Sequence, residues 1–178
     1  GKCQVRVAPT FVPGMEFAGV VRALGPRASG PAPGTRILGT STSGALGELL
    51  AVPAAGLTPL PDAMSFEEAA GFPIAYGTSH LALTHVGRLR PGETLFVTGA
   101  AGGVGLTAVE IGKRLGARVI ASARGADRLA VAQAAGADVL IDSEAEGLKD
   151  RLRTEGGVDV VYDAVGGPAF DAALRACR

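Results

Sequence analysis

Apolar positions change texture twice along this chain. From Gly1 to about Ala55 they come in short runs (Phe11-Val12, Phe17 to Val21, Arg36 to Leu38, Glu48 to Val52) broken by PGMEFAG, GPRASGPAPG and GTSTSGALG. Short strands punctuated by Gly and Pro turns predict an all-β region with loops. GPRASGPAPG has the composition of a linker, but strand texture resumes at Thr35 and makes it a surface loop. Through LPDAMSFEEAAGFPIAYGTSHLALTHV the spacing turns helical. Ser65 with Glu68 is a capping box that starts a helix at Phe66, and a second helix is expected from about Tyr76 to Val86.

After RLRPGET the pattern changes again. Pro91-Gly92 is a turn, and the apolar run Thr94 to Thr98 has the length of a buried parallel strand. GAAGGVG follows, and then Val104, Ala108, Ile111 and Leu115 form one helical stripe that ends at Gly116, where a left-handed cap is needed. A strand over Arg118 to Ala121 comes next. The unit recurs as a helix through Arg128 to Ala135, Gly136 and a strand Asp138 to Ile141, then as a helix through Glu146 to Leu152, Gly156-Gly157 and a strand Val158 to Tyr162. Repeated helix-Gly-strand units imply a parallel sheet with helical crossovers.

Composition narrows the class. The 178 residues are 47% apolar and carry 17 basic against 17 acidic side chains, which excludes a disordered tail and argues against nucleic acid or an anionic membrane as partner. Cys3 and Cys177 stand at opposite ends, too few and too far apart in sequence for a disulfide framework or metal cluster, so a reduced, cytoplasmic setting is expected. No run reaches the ~18 uncharged apolar residues of a membrane span, and GKCQVRV has no apolar signal core. The chain begins with Gly1 and stops at DAALRACR, where a helix pattern has just run, so an internal fragment of a longer protein is expected.

The chemistry centres on Gly99 to Gly105. Ala100-x-Gly102-x-x-Gly105 matches the dinucleotide fingerprint with Ala in the first glycine slot, between a predicted strand and a predicted helix. Gly102 lets the backbone approach a pyrophosphate, Gly105 lets the helix pack closely on the strand, and the N–H groups of Gly103 and Val104 belong to a first helical turn that favours an anion. An ATP-type loop is disfavoured because no Lys-Ser/Thr follows the glycines. An NAD site places a carboxylate at the end of the next strand; here ASARGADR offers Ser122, Arg124 and Arg128 instead. A hydroxyl and two guanidinium groups suit a 2′-phosphate, which points to NADPH. Solvated surface charges are the ordinary alternative for both arginines, and Asp127 between them is available to pair with either.

PGMEFAGVV, PLPDAMSFEEAAGFPIAYGTSHLAL, RPGETLFVTGAAGGVGLTAVEIGKRLGARVIASA and GVDVVYDAVGG together resemble consecutive segments of medium-chain dehydrogenase/reductases, in the zinc-independent quinone oxidoreductase branch that includes zeta-crystallin-like proteins. The resemblance implies part of a GroES-like β domain with connecting helices over residues 1–84, holding substrate. It also implies a truncated α/β Rossmann domain, a doubly wound parallel sheet, over residues 85–178, holding NADPH. Thr78, in AYGTS, matches a nicotinamide contact of relatives, with helix capping as its alternative role. Gly166 and Gly167 match the loop beside the cofactor ribose, and Ser143 stands where several quinone reductases have Tyr or His near the 2′-phosphate. Zinc members carry His directly before the Glu where this chain has Met15-Glu16, and a four-Cys loop that has no counterpart here. No metal is therefore expected, and His80 and His85 read as ordinary helix residues.

The implied reaction is hydride transfer from the nicotinamide to a quinone or another α,β-unsaturated carbonyl, with no catalytic side chain identifiable in this chain. An enoyl-thioester reductase, including the polyketide-synthase type, is the rival within that class. A non-catalytic crystallin-like or nucleotide-binding protein is the alternative outside it. RNA binding is disfavoured by neutral charge and by only 6 Phe, 2 Tyr and no Trp for stacking. A homodimer is implied for the full-length parent.

Overall fold

The structure, a computed structural model, describes residues 11–178; Cys3 and the opening of the expected β region lie outside the described residues. The chain forms two compact units, one ending at Ile74 and the other spanning Ala75–Arg178.

In the first unit β1 (Glu16–Val20), β2 (Arg36–Thr40) and β3 (Thr58–Pro59) form an antiparallel sheet in the order β1-β2-β3. The apolar run at Glu48 to Val52 forms no strand. Just ahead of it, Gly44 and Leu46 donate their N–H groups to the Val12 and Pro13 carbonyls, so the chain there closes a loop against residues 12–14 rather than joining the ladder. Arg36 fixes the exit from the sheet: its guanidinium donates to the Asp62 and Met64 carbonyls and lies 4.7 Å over the Phe66 ring. Helix α1 (Phe66–Ala70) starts where the capping box requires, with Glu68 N–H on Ser65 Oγ at 3.1 Å and Ser65 N–H on Glu68 Oε2 at 3.0 Å.

Helix α2 (Phe72–Leu81) begins four residues ahead of the expected Tyr76, and the stretch through Val86 continues as a π-helical turn over Ala82–Val86. From Ala75 onward these residues belong to the second unit. Ser79 is fully buried, its hydroxyl 2.8 Å from the Val104 carbonyl, 2.8 Å from Thr107 Oγ1 and 3.0 Å from the Tyr162 hydroxyl, while Leu83 enters the core.

The second unit is a parallel four-stranded sheet in the order β6-β5-β4-β7, from β4 (Thr94–Thr98), β5 (Arg118–Ala123), β6 (Val139–Asp142) and β7 (Val160–Tyr162). The crossovers are α3 (Gly103–Arg114), α4 (Ala126–Ala134) and α5 (Leu148–Thr154), and α6 (Pro168–Leu174) follows β7. Side chains alternate across the sheet. Leu95 and Val97 of β4, with Val119 and Ala121 of β5, pack in a core with Ala108 and Val109 of α3 and Ala132 of α4. Phe96 and Ile120 face the opposite way, onto Leu152 of α5 and Ala173 of α6. Helices therefore cover both faces, which is why all five residues of β4 are buried. Among the described residues no helix is long and apolar enough to cross a membrane.

Candidate functional site

In a parallel sheet all strands end at the same edge, and ligands bind outside those carboxyl ends. Here that edge is formed by Thr98, Ala123, Asp142 and Tyr162. From Thr98 the chain enters the glycine turn. Gly99 has φ +59°, and its carbonyl accepts the Gly102 N–H at 2.9 Å. Ala100 is buried and donates to the Ser122 carbonyl at 3.0 Å, which ties the turn to the end of β5. Helix α3 then starts on Gly102 with no side chain capping it, and the N–H groups of its first turn form the positive end of the helix dipole. Gly105 is the tightest position of the turn: a Cβ there would lie 2.2 Å from the Gly99 carbonyl oxygen.

Beside this turn is a pocket of about 240 Å³. Gly99, Ser122, Arg124, Arg128 and Ser143, five residues singled out in the sequence, all line it. Sheet register brings them together: Ser122 pairs with Thr98 across β4 and β5, and Ser143 N–H bonds the Ala123 carbonyl at 3.0 Å. Ala145, Leu148, Val165 and Ala169 contribute apolar lining. Arg124 pairs through Nε with Glu144 Oε1 at 3.2 Å rather than with Asp127. Both partners are about 70% exposed, so the pair contributes at most about 1 kcal/mol and leaves the guanidinium open to a stronger anion.

The remaining named residues lie outside the pocket lining. Gly102, Gly103, Val104 and Gly105 form the start of α3. Gly166 and Gly167 lie on the loop after β7, at φ +75° and +72°, and Gly167 stands before the Pro168 that opens α6. Thr78 is exposed in the middle of α2, not at a helix start, so it caps nothing. His80 and His85 are exposed, and among the described residues no group of three or more His, Cys, Asp or Glu could hold a metal.

Residue-level reading overlooked Thr98 and Asp163. Asp163 follows β7, where its carboxylate accepts the Thr98 hydroxyl and the N–H groups of Val165 and Gly166. The signal was present as DAVGG, an Asp directly after an apolar strand and ahead of two glycines, a pattern suited to side-chain-to-backbone turn bonds. Asp142 and Leu148 also line the pocket without having been singled out.

A family model described as "Alcohol dehydrogenase GroES-like domain" matches residues 1–62, and one described as "Zinc-binding dehydrogenase" matches residues 103–178. Quinone oxidoreductase-like protein 2 homolog of Nematostella vectensis is 37% identical over 98% of this chain and 49% of its own length. Spectinabilin polyketide synthase system protein NorB of Streptomyces orinoci is 39% identical over 93% of this chain and 8% of its own. Among solved structures, the Escherichia coli quinone oxidoreductase complexed with NADPH superposes with a TM-score of 0.91 at 31% identity, covering 98% of this chain and 55% of that one. The chain thus spans about half the length of the quinone oxidoreductase-like relatives it matches.

Proposed function

We propose that this chain, which belongs to the medium-chain dehydrogenase/reductase superfamily and pairs a GroES-like region with a Rossmann-like one, is the NADPH-holding part of a zinc-independent cytosolic reductase of quinones or other α,β-unsaturated carbonyls. The observation that carries the proposal is the gathering of Ser122, Arg124, Arg128 and Ser143 around one pocket beside the glycine turn. The residues fit the cofactor. The cradle at Gly105 has no room for a Cβ, α3 begins with uncapped N–H groups, and the pocket is lined by apolar side chains together with two guanidinium groups and two serine hydroxyls. The pyrophosphate is assigned to the N–H groups of Gly103 and Val104, the adenine to the side of Ala145, Leu148 and Ala169, and the 2′-phosphate to Arg124, Arg128, Ser122 and Ser143. Gly166, Gly167 and Thr78 are assigned to the ribose and nicotinamide end.

When bound, the reduced nicotinamide supplies the hydride. The chain's own part is to bind and orient. Arg124 exchanges its exposed carboxylate partner for a doubly charged phosphate, a larger electrostatic gain than Glu144 offers. Calorimetric titration tests the cofactor assignment: NADPH is expected to bind more tightly than NADH, and equal affinities overturn it.

The polyketide-synthase relative supports a second reading, reduction of an enoyl thioester. NADPH oxidation with a quinone panel and none with crotonyl thioesters excludes that alternative, and the reverse outcome excludes quinones.

A further inference from the structure

We propose that Thr98 and Asp163 are positioning residues for the dinucleotide pocket: their hydroxyl–carboxylate clamp fixes the loop after β7 so that Val165 forms part of the pocket wall. The inference rests on the dinucleotide reading above and adds a specific device to it. The Thr98 hydroxyl donates to Asp163 Oδ1 and its oxygen accepts the Ala164 N–H at 3.1 Å, so the two side chains hold each other across the ends of β4 and β7. The carboxylate also accepts the Val165 N–H at 3.3 Å and, through Oδ2, the Gly166 N–H at 2.9 Å. The two side chains together thus organise three consecutive backbone amides, Ala164 through Thr98 and Val165 and Gly166 through Asp163.

The sheet does not need this clamp. β4 and β7 already pair from Leu95 to Val97 with Val160 to Tyr162, in a buried core. What needs it is the loop. Val165 is 66% exposed, so burial in the protein does not hold it, yet it lines the pocket together with Thr98 and Gly99. Its Cγ2 lies 3.1 Å from where a Cβ on Gly99 would stand, so the loop closes directly over the glycine turn. With Asp163 committed to three donors, its role is to place Val165 where an adenosine moiety would cover it.

The test uses the full chain, with NADPH and 2′,5′-ADP as probes and Kd read by calorimetry well below the unfolding midpoint. Thr98→Val removes the hydroxyl at nearly constant volume and is expected to weaken both ligands about fivefold to tenfold, the size of one or two net hydrogen bonds. Thr98→Ser keeps the oxygen and is expected to restore Kd to within about twofold of the parent, which a loss of mere packing would not do. Val165→Ala leaves the clamp intact and is expected to weaken 2′,5′-ADP about threefold through lost apolar contact; it carries the test if Thr98→Val does not fold. Parent-like affinity in folded Thr98→Val, a Thr98→Ser as weak as Thr98→Val, or no effect of Val165→Ala overturns the clamp. A parent chain that binds neither probe overturns the dinucleotide reading itself, and the clamp with it.

Discussion

Two residues bear most directly on the cofactor assignment. Gly105 has no space for a side chain, because a methyl group would press on the Gly99 backbone oxygen from 2.2 Å. Gly105→Ala is expected to cost about 2–4 kcal/mol, since helix and turn must part, and to abolish dinucleotide binding; urea denaturation and calorimetry check both. Arg124 tests the choice of dinucleotide. Arg124→Asp replaces a guanidinium beside the 2′-phosphate with a like charge, so NADPH affinity is expected to fall about tenfold to a hundredfold with NADH affinity little changed. An unchanged ratio refutes the assignment. These positions were legible because their chemistry is local: a glycine spacing, and a missing carboxylate at a strand end. Thr98 and Asp163 were harder to find because they are 65 residues apart in sequence and meet only once β4 and β7 are neighbours. The Arg124 partner was not legible for the same reason. Asp127 is near in sequence, but Glu144 is brought close by the pairing of β5 with β6.

Among the elements, a device recurs at the feet of two strands. Asp138, just ahead of β6, accepts the Val119 N–H of β5 at 2.7 Å and returns its own N–H to the Val119 carbonyl. Asp159, just ahead of β7, does the same with Thr94 of β4. Each is also paired with a cation, Asp138 with Lys113 and Asp159 with Arg178. Burial works to raise the Asp138 carboxyl, but the Lys113 hydrogen bond, the Val119 N–H and the charges of Lys113 and Arg118 together bring it below its ordinary value. The Arg178 hydrogen bond and then the Thr94 N–H hold Asp159 down against a smaller effect of burial. Both carboxyls are lowered on folding, so their stabilisation is complete above the ordinary aspartate value of 3.8 and is lost as pH falls through the lower folded values. The urea midpoint is therefore expected to drop steeply below about pH 4, and Asp138→Asn with Asp159→Asn to flatten that acid limb. An equally steep limb in the double variant counts against the pairing. The parallel-sheet elements were readable from periodicity because each repeats strand, helix and glycine. The first unit was less so: Glu48 to Val52 has the apolar content of a strand, but only long-range pairing decides whether a short run joins a ladder.

For the whole molecule, the sequence predicted an all-β region followed by a doubly wound parallel sheet, and that order is present, the first region being antiparallel. It did not show that α2 and its π-helical turn would pack with the parallel sheet, because the buried hydroxyls of Ser79, Thr107 and Tyr162 that join them are distributed along the chain. If the Ala75–Arg178 unit holds the cofactor, NADPH at one hundred times its Kd is expected to stabilise the chain by about 2.7 kcal/mol, seen as a rise in Tm that NADH at the same concentration does not match.

The strand order β6-β5-β4-β7 carries a further consequence on the clock of solvent exchange. Among the described residues, Leu95 to Val97 of β4 and Ile120 to Ser122 of β5 are paired with a strand on either side, whereas β6 and β7 each have one neighbour in the sheet. In deuterated buffer the amides of β4 and β5 are therefore expected to be the last to exchange, released only when the whole sheet opens. Those of β6 and β7 leave earlier by local fraying, so a single exchange experiment separates the opening of the sheet's margins from the loss of its centre.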